Sequence, residues 1–138
     1  MNFNYKIKGG DFSAAGRASS EIKKILKKLN VNPKVIKRIV VALYEAEVNV
    51  VAHADKGSIN AEIDSEKIRI TVVDEGPGIA DIDLAMTEGF STASSKVREM
   101  GFGAGMGLPN MKKNADILNI KSKVGQGTMV ELITFFKS

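Results

Sequence analysis

Glu45, Asn49 and His53 stand at i, i+4 and i+8 in "VIKRIVVALYEAEVNVVAHA", residues 35–54, a run that is otherwise apolar almost all round a helix. That spacing stacks the three side chains on one stripe, with Arg38 toward its N-terminal end. A carboxylate one turn from an amide oxygen suits a hard cation that carries phosphates. Magnesium takes one or two protein oxygens and completes its octahedron with phosphate and water. In that chemistry Asn49 is the metal ligand, and Glu45 is the base that accepts a proton from an attacking hydroxyl or water. The same stripe also reads as a plain solvent-facing edge. His53, the sole histidine, reads as a structural hydrogen-bonding residue. Glu47 points elsewhere on the wheel and receives no role.

A second constellation lies in "ITVVDEGPGIAD", residues 70–81, where a β-branched strand ends in Asp74 and is followed by Gly76, Pro77 and Gly78. The turn can be purely structural. An aspartate fixed at a strand end also accepts a hydrogen bond from an exocyclic amino group, while bare backbone at Gly76 and Gly78 lets a flat ring approach; together they describe a purine pocket. A third lies in "MGFGAGMG", residues 100–107, with glycine at 101, 103, 105 and 107. Alternating glycines turn successive N–H groups toward one concavity, and a following helix from Leu108 adds its N-terminus, so the pair can hold a polyphosphate. Upstream, "GFSTASSKVREM" is polar with little to bury, as in a lid or a plain flexible loop; Lys96 or Arg98 would complete the charge neutralisation. There is no G-x-x-x-x-G-K-[ST], and the glycines are not in the strand–turn–helix setting of a dinucleotide fold.

These residues must be held by something, and the pattern around them supplies it. "FNYKIK" alternates as a first strand. A helix to about Leu29 follows, with Asp11 or Ser13 as its cap, and Pro33 opens a second over residues 34–54. "GSINAEID" and "KIRITVVD" form a hairpin with a turn near Ser65, then come a short helical piece at 82–86, a helix over 108–115, and two final strands around "VGQG". The order implies an α+β two-layer sandwich, a single domain over 1–138, with one mixed or antiparallel sheet and helices on one face.

With 138 residues, 43% of them hydrophobic, the chain can bury a real core. It has no cysteine, no signal-like apolar stretch at its start and no run of membrane-spanning length, so a cytoplasmic location is expected. Residues 1–38 hold ten Lys/Arg against two Asp/Glu, a net of +8, which leaves −4 for the rest of a chain whose total is +4. The lysines of "EIKKILKKLN" alternate with apolar residues at helical spacing, as on a solvated amphipathic face, so nucleic-acid binding is not expected.

Taken in order, E-x-x-x-N at Glu45 and Asn49, D-x-G-x-G at Asp74, Gly76 and Gly78, the glycine run 101–107 and "GQGT" at Gly125 to Thr128 resemble the boxes of the GHKL ATPase superfamily, with its Bergerat ATP-binding fold. Within it, "EGFSTASS" and "GAGMGLPNMKK" are similar to the bacterial anti-sigma-factor and switch serine/threonine kinases of partner-switching pathways. The resemblance implies ATP with Mg2+, Asn49 on the metal, Glu45 near the γ-phosphate and Asp74 on adenine. It places Gly76, Gly78, Gly101, Gly103, Gly105, Met106, Gly107 and Leu108 around the nucleotide, and Thr128 with Gly127 near the base or phosphates. The implied acceptor is a STAS-domain anti-anti-sigma-type protein; a sigma factor, a PP2C-type phosphatase and a second copy of the chain are further implied partners. A nucleotide-gated module that sequesters a sigma factor or activates a phosphatase, with little transfer, stays open beside the kinase. The segment 93–100 is longer than the lid of the switch-kinase branch.

Overall fold

Alternating side chains in "NFNYKIK" build β1 (Asn2–Lys8), and the next strands repeat the device: β2 (Lys56–Ile63), β3 (Lys67–Glu75), β4 (Ile117–Lys123) and β5 (Gly127–Phe135). The computed structural model describes residues 1–86 and 107–137. Its helices are α1 (Arg17–Lys28), α2 (Pro33–His53), α3 (Ile82–Ala85) and α4 (Gly107–Lys113). The strands form one sheet in the order β1-β2-β3-β5-β4.

Every pair in that sheet is antiparallel, which settles the sequence's mixed-or-antiparallel alternative. Two helices separate β1 from β2 and return the chain with its direction reversed. The crossover from β3 brings β4 back in the same direction as β3, but β5 inserts between them, so no parallel pair forms among the described strands.

Register explains the core. Phe3, Ala61, Ile70, Leu132 and Leu118 lie side by side across all five strands, and Tyr5, Ile59, Val72, Val130 and Ile120 form the adjacent row. Both rows meet Ile22 and Leu26 of α1, Ile39, Leu43 and Val50 of α2, and Met111 of α4. Each such side chain stabilises the fold by about 1.5–3 kcal/mol through removal from water. The opposite sheet face is polar: Asn60 Nδ2 donates to Asn4 at 2.7 Å, and Asn119 Nδ2 to Glu131 at 2.8 Å. Among the described residues no helix is long and apolar enough to cross a membrane.

The starts of α2 and α3 are set locally and that of α1 is not. Asn32 Oδ1 accepts from Lys34 N at 2.9 Å, with Pro33 in the first turn of α2. The predicted Asp11 or Ser13 cap on α1 is not formed. Ser13 Oγ donates to Asp11, and a short 3-10 turn at Phe12–Ala14 ends before Gly16, whose φ of +94° admits a side chain only with strain. The first amides of α1 turn to Glu47 of α2 instead. Its carboxylate accepts from Gly16 N at 2.9 Å, Ala18 N at 3.2 Å, Ser19 N at 3.1 Å and Ser19 Oγ at 2.5 Å. Glu47, given no role from the helical wheel, is therefore a buried tertiary cap that fastens α1 to α2.

Candidate functional site

The stripe on α2 faces α4. Asn110 Nδ2 donates to Glu45 Oε1 at 3.3 Å, and one turn away a Cβ placed on Gly107 would stand 2.8 Å from Asn49 Oδ1. Glycine at 107 is thus demanded by the approach of the Asn49 side chain. Arg38, at the other end of the stripe, is drawn off to Asp116 at 3.2 Å and belongs to the surface. His53 closes the helix, half-buried and engaged with a neighbour; burial pushes its imidazole below the usual range, in keeping with a structural role.

Asp74 reaches the same region from the sheet. Gly57 pairs with Asp74, and a Cβ there would meet both Val50 of α2 and the Asp74 side chain, so the end of β3 lies directly under the C-terminal half of α2. Asp74 Oδ1 accepts from Thr128 N at 3.1 Å, while its other oxygen has no partner among the described residues. Thr128 Oγ1 lies 2.8 Å from Ser122 Oγ, which accepts from Ile79 N at 2.7 Å and donates to Gly127 O at 3.1 Å. Since the Ser122 proton is already committed, Thr128 donates to Ser122 and keeps its lone pairs for a ligand. This network ties the turn after β3 to β4 and β5.

Gly76 sits beside Ala54 and Asp74 Oδ1. Gly78, expected to admit a flat ring, has a more immediate reason for its identity: φ is +75° and a Cβ would stand 2.4 Å from Lys123 O. Leu108 turns its side chain into the core, leaving only backbone for a ligand. Gly101, Gly103, Gly105 and Met106, with Lys96, Arg98 and the rest of the expected lid, lie outside the described residues. The helix expected over 108–115 spans Gly107–Lys113.

Asn110 and Ser122 were missed by sequence reasoning. Ser122 carried a signal: in β4 it is in phase with Leu118 and Ile120, a hydroxyl in an inward-facing row. Asn110 had none, because its partner is sixty-five residues away in sequence.

Burial pushes the Glu45 and Asp74 carboxyls above the ordinary range, and the hydrogen bonds from Asn110 and from Thr128 N–H only partly oppose it. A carboxyl raised in this way binds more protons in the folded than in the unfolded chain between its two pKa values, so its contribution to stability falls as pH rises through that window. Glu45→Gln is accordingly expected to be more stable than the parent at about pH 7 and to lose that advantage as the pH falls below about 4, where Glu45 becomes protonated in the unfolded chain as well. Urea unfolding at the two pH values measures it. Gly107→Ala is expected to displace the Asn49 side chain and to weaken ATP binding at least ~10-fold in the presence of Mg2+, with little change in its absence; intrinsic helix propensity, worth about 1 kcal/mol in favour of alanine, keeps the chain folded. Titration with and without the metal reads the difference.

Comparisons with known proteins agree with this fold. A family model described as "Histidine kinase-like ATPase domain" matches residues 11–134. The chain is 34% identical over 104 residues to the serine/threonine-protein kinase RsbT of Bacillus subtilis (strain 168), covering 72% of each chain. It is 36% identical over 102 residues to the anti-sigma F factor of Thermoanaerobacter sp. (strain X514), covering 70% of this chain and 68% of the relative. In fold it is similar to the crystal structure of the RsbU and RsbW domains of a Mycobacterium tuberculosis protein, with a TM-score of 0.66 at 16% identity over 97% of this chain and 32% of that one. Glu45, Asn49, Asp74 and Gly107 thus stand on adjoining elements of a matching fold, and the chain belongs to the histidine kinase-like ATPase domain family.

Proposed function

We propose that the chain is a cytoplasmic, ATP-dependent serine/threonine kinase of a bacterial partner-switching pathway that phosphorylates a STAS-domain anti-anti-sigma-type protein. The observation that carries the reading is the placement of Glu45 and Asn49 one turn apart on a half-buried face of α2, directly opposite Gly107 and Asn110 of α4. Relatives named as a serine/threonine kinase and an anti-sigma factor support it.

The residues fit a magnesium nucleotide. Asn49 Oδ1 is a hard oxygen beside a glycine whose missing side chain leaves it room, and Asp74 offers one unpartnered carboxylate oxygen at the other end. Among the described residues no group of three or more His, Cys, Asp and Glu could hold a metal, so protein oxygens would share it with phosphate and water. When bound, Mg2+ would neutralise charge on the transferring phosphoryl group. Asp74 would accept from the adenine amino group, and Thr128 would offer lone pairs nearby. Glu45 would take the proton of the acceptor hydroxyl as the acceptor oxygen bonds to the γ-phosphorus and the bond from that phosphorus to the β,γ-bridging oxygen breaks, leaving ADP. Burial suits it to that task, since a carboxylate raised toward neutrality is a stronger base.

The relative named as an anti-sigma factor favours a second reading, a nucleotide-gated module that sequesters its partner with little transfer. Incubation with γ-labelled ATP, Mg2+ and candidate STAS-domain proteins separates the two. Label on a partner serine or threonine, absent with Glu45→Gln, supports the kinase; nucleotide-dependent complex formation without label supports the module.

A further inference from the structure

We propose that the outer groove between α1 and α2 is a docking site for an acidic amphipathic helix of a partner protein. It shares no residue with Glu45, Asn49 or Asp74, and goes beyond the kinase reading.

The groove has a volume of about 670 Å³ and is floored by Val31, Pro33, Ile36, Val40 and Val41. It exists because α2 has two apolar faces. One packs Ile36, Ile39, Leu43 and Val50 into the core. The other leaves Val40 and Val41 half-buried and Tyr44, one turn on, 39% exposed. Pro33, Lys37, Val40, Val41 and Tyr44 thus mark a continuous strip at helical spacing, which a second helix fills with residues at i, i+3, i+4 and i+7. From Pro33 to Val41 the strip runs roughly 12 Å, about two turns.

Charge selects the occupant. Lys23 and Lys27 of α1 and Lys37 of α2 rim the groove, and none of them is in an ion pair among the described residues. The acid of α1, Glu21, lies near the Tyr5 hydroxyl of β1, and the nearby Arg38 pairs with Asp116. An apolar floor under unpaired ammonium groups is complementary to a helix with leucine-like residues on one side and carboxylates along its flanks. Nucleic acid fits less well, because the floor of Val31, Pro33, Ile36, Val40 and Val41 is aliphatic and, of the strip's residues, Tyr44 alone offers a ring for base stacking.

The test uses the full chain and a synthetic acidic amphipathic peptide, with leucines at helical spacing and glutamates between, followed by methyl chemical shifts and fluorescence anisotropy. The expected result is perturbation confined to the methyls of Val31, Ile36, Val40 and Val41. Binding falls about tenfold in a Lys27→Glu, Lys37→Glu double variant, as loss of rim charge predicts. That variant in turn takes up the peptide's lysine counterpart. Unchanged ATP titration of the double variant shows that it is folded and that the kinase reading stands or falls separately. Equal binding of a scrambled peptide, shifts outside the groove, no effect of charge reversal, or displacement of the peptide by duplex DNA or by anionic vesicles would each overturn the proposal.

Discussion

Glu45→Gln is expected to bind ATP and Mg2+ as the parent does and to transfer phosphate about 10²- to 10⁴-fold more slowly, the usual contribution of a general base. The substitution is nearly isosteric. It keeps an oxygen to accept from Asn110 Nδ2, so α2 and α4 stay in register. What it removes is the feature that the proposed base needs, an anionic oxygen able to take a proton. Two further outcomes tie the loss to that role. In the parent, the rate rises with pH through the titration of Glu45, whose carboxyl burial has raised, and Glu45→Gln lacks that limb. Asn110→Ala removes the hydrogen bond that lowers the Glu45 pKa, so the limb moves to higher pH. A Glu45→Gln protein that labels its partner at the parental rate would take the base away from Glu45.

The second large effect concerns stability. Glu47→Ala is expected to destabilise the fold by about 4 kcal/mol, because it strips the acceptor from a buried polar cluster without removing the donors. Ala18 and Ser19 are each 3% exposed, so their amides, and the Ser19 hydroxyl, have no water to turn to. An exposed capping residue would cost nearer about 1 kcal/mol. For a chain of this size the loss corresponds to a fall of roughly 10 °C or more in the thermal midpoint. Glu47→Gln recovers only part, since its amide nitrogen would confront the donors of α1. Urea unfolding measures both variants, and a loss below about 1 kcal/mol for Glu47→Ala would mean that α1 is not fastened in this way.

The contrast between these two glutamates shows what the sequence could carry. The stripe that holds Glu45 was legible because it lies on one helix: Asn49 is one turn away, and local periodicity reports that spacing. Glu47 was illegible because its partners lie twenty-eight to thirty-one residues earlier, at the start of α1. Only the oddity of a carboxylate among Ala46, Val48 and Val50 hinted at it. The same division runs through the fold. Strand boundaries followed from alternation and turn residues, and β1, β2, β3 and β4 lie where the pattern put them. The insertion of β5 between β3 and β4, which makes the sheet wholly antiparallel, depends on long-range pairing that alternation does not encode. Asp74 could be read as a ligand from its turn, whereas its fixing by Thr128 N, fifty-four residues on, could not. Gly78 reads as an opening for a ligand, and its close approach to Lys123 is a further, structural reason for glycine that the sequence did not show.

Calorimetric titration of ATP, with and without Mg2+, into the parent, Asp74→Asn and Asn49→Ala tests the central assignment most directly. Asp74→Asn replaces an acceptor by a group that can donate into the adenine amino position, and is expected to weaken binding by about 10²-fold or more under both conditions. Asn49→Ala is expected to lose the magnesium-dependent part of the affinity and little else. Parental titration curves for both variants would contradict the placement of one nucleotide between α2 and the end of β3.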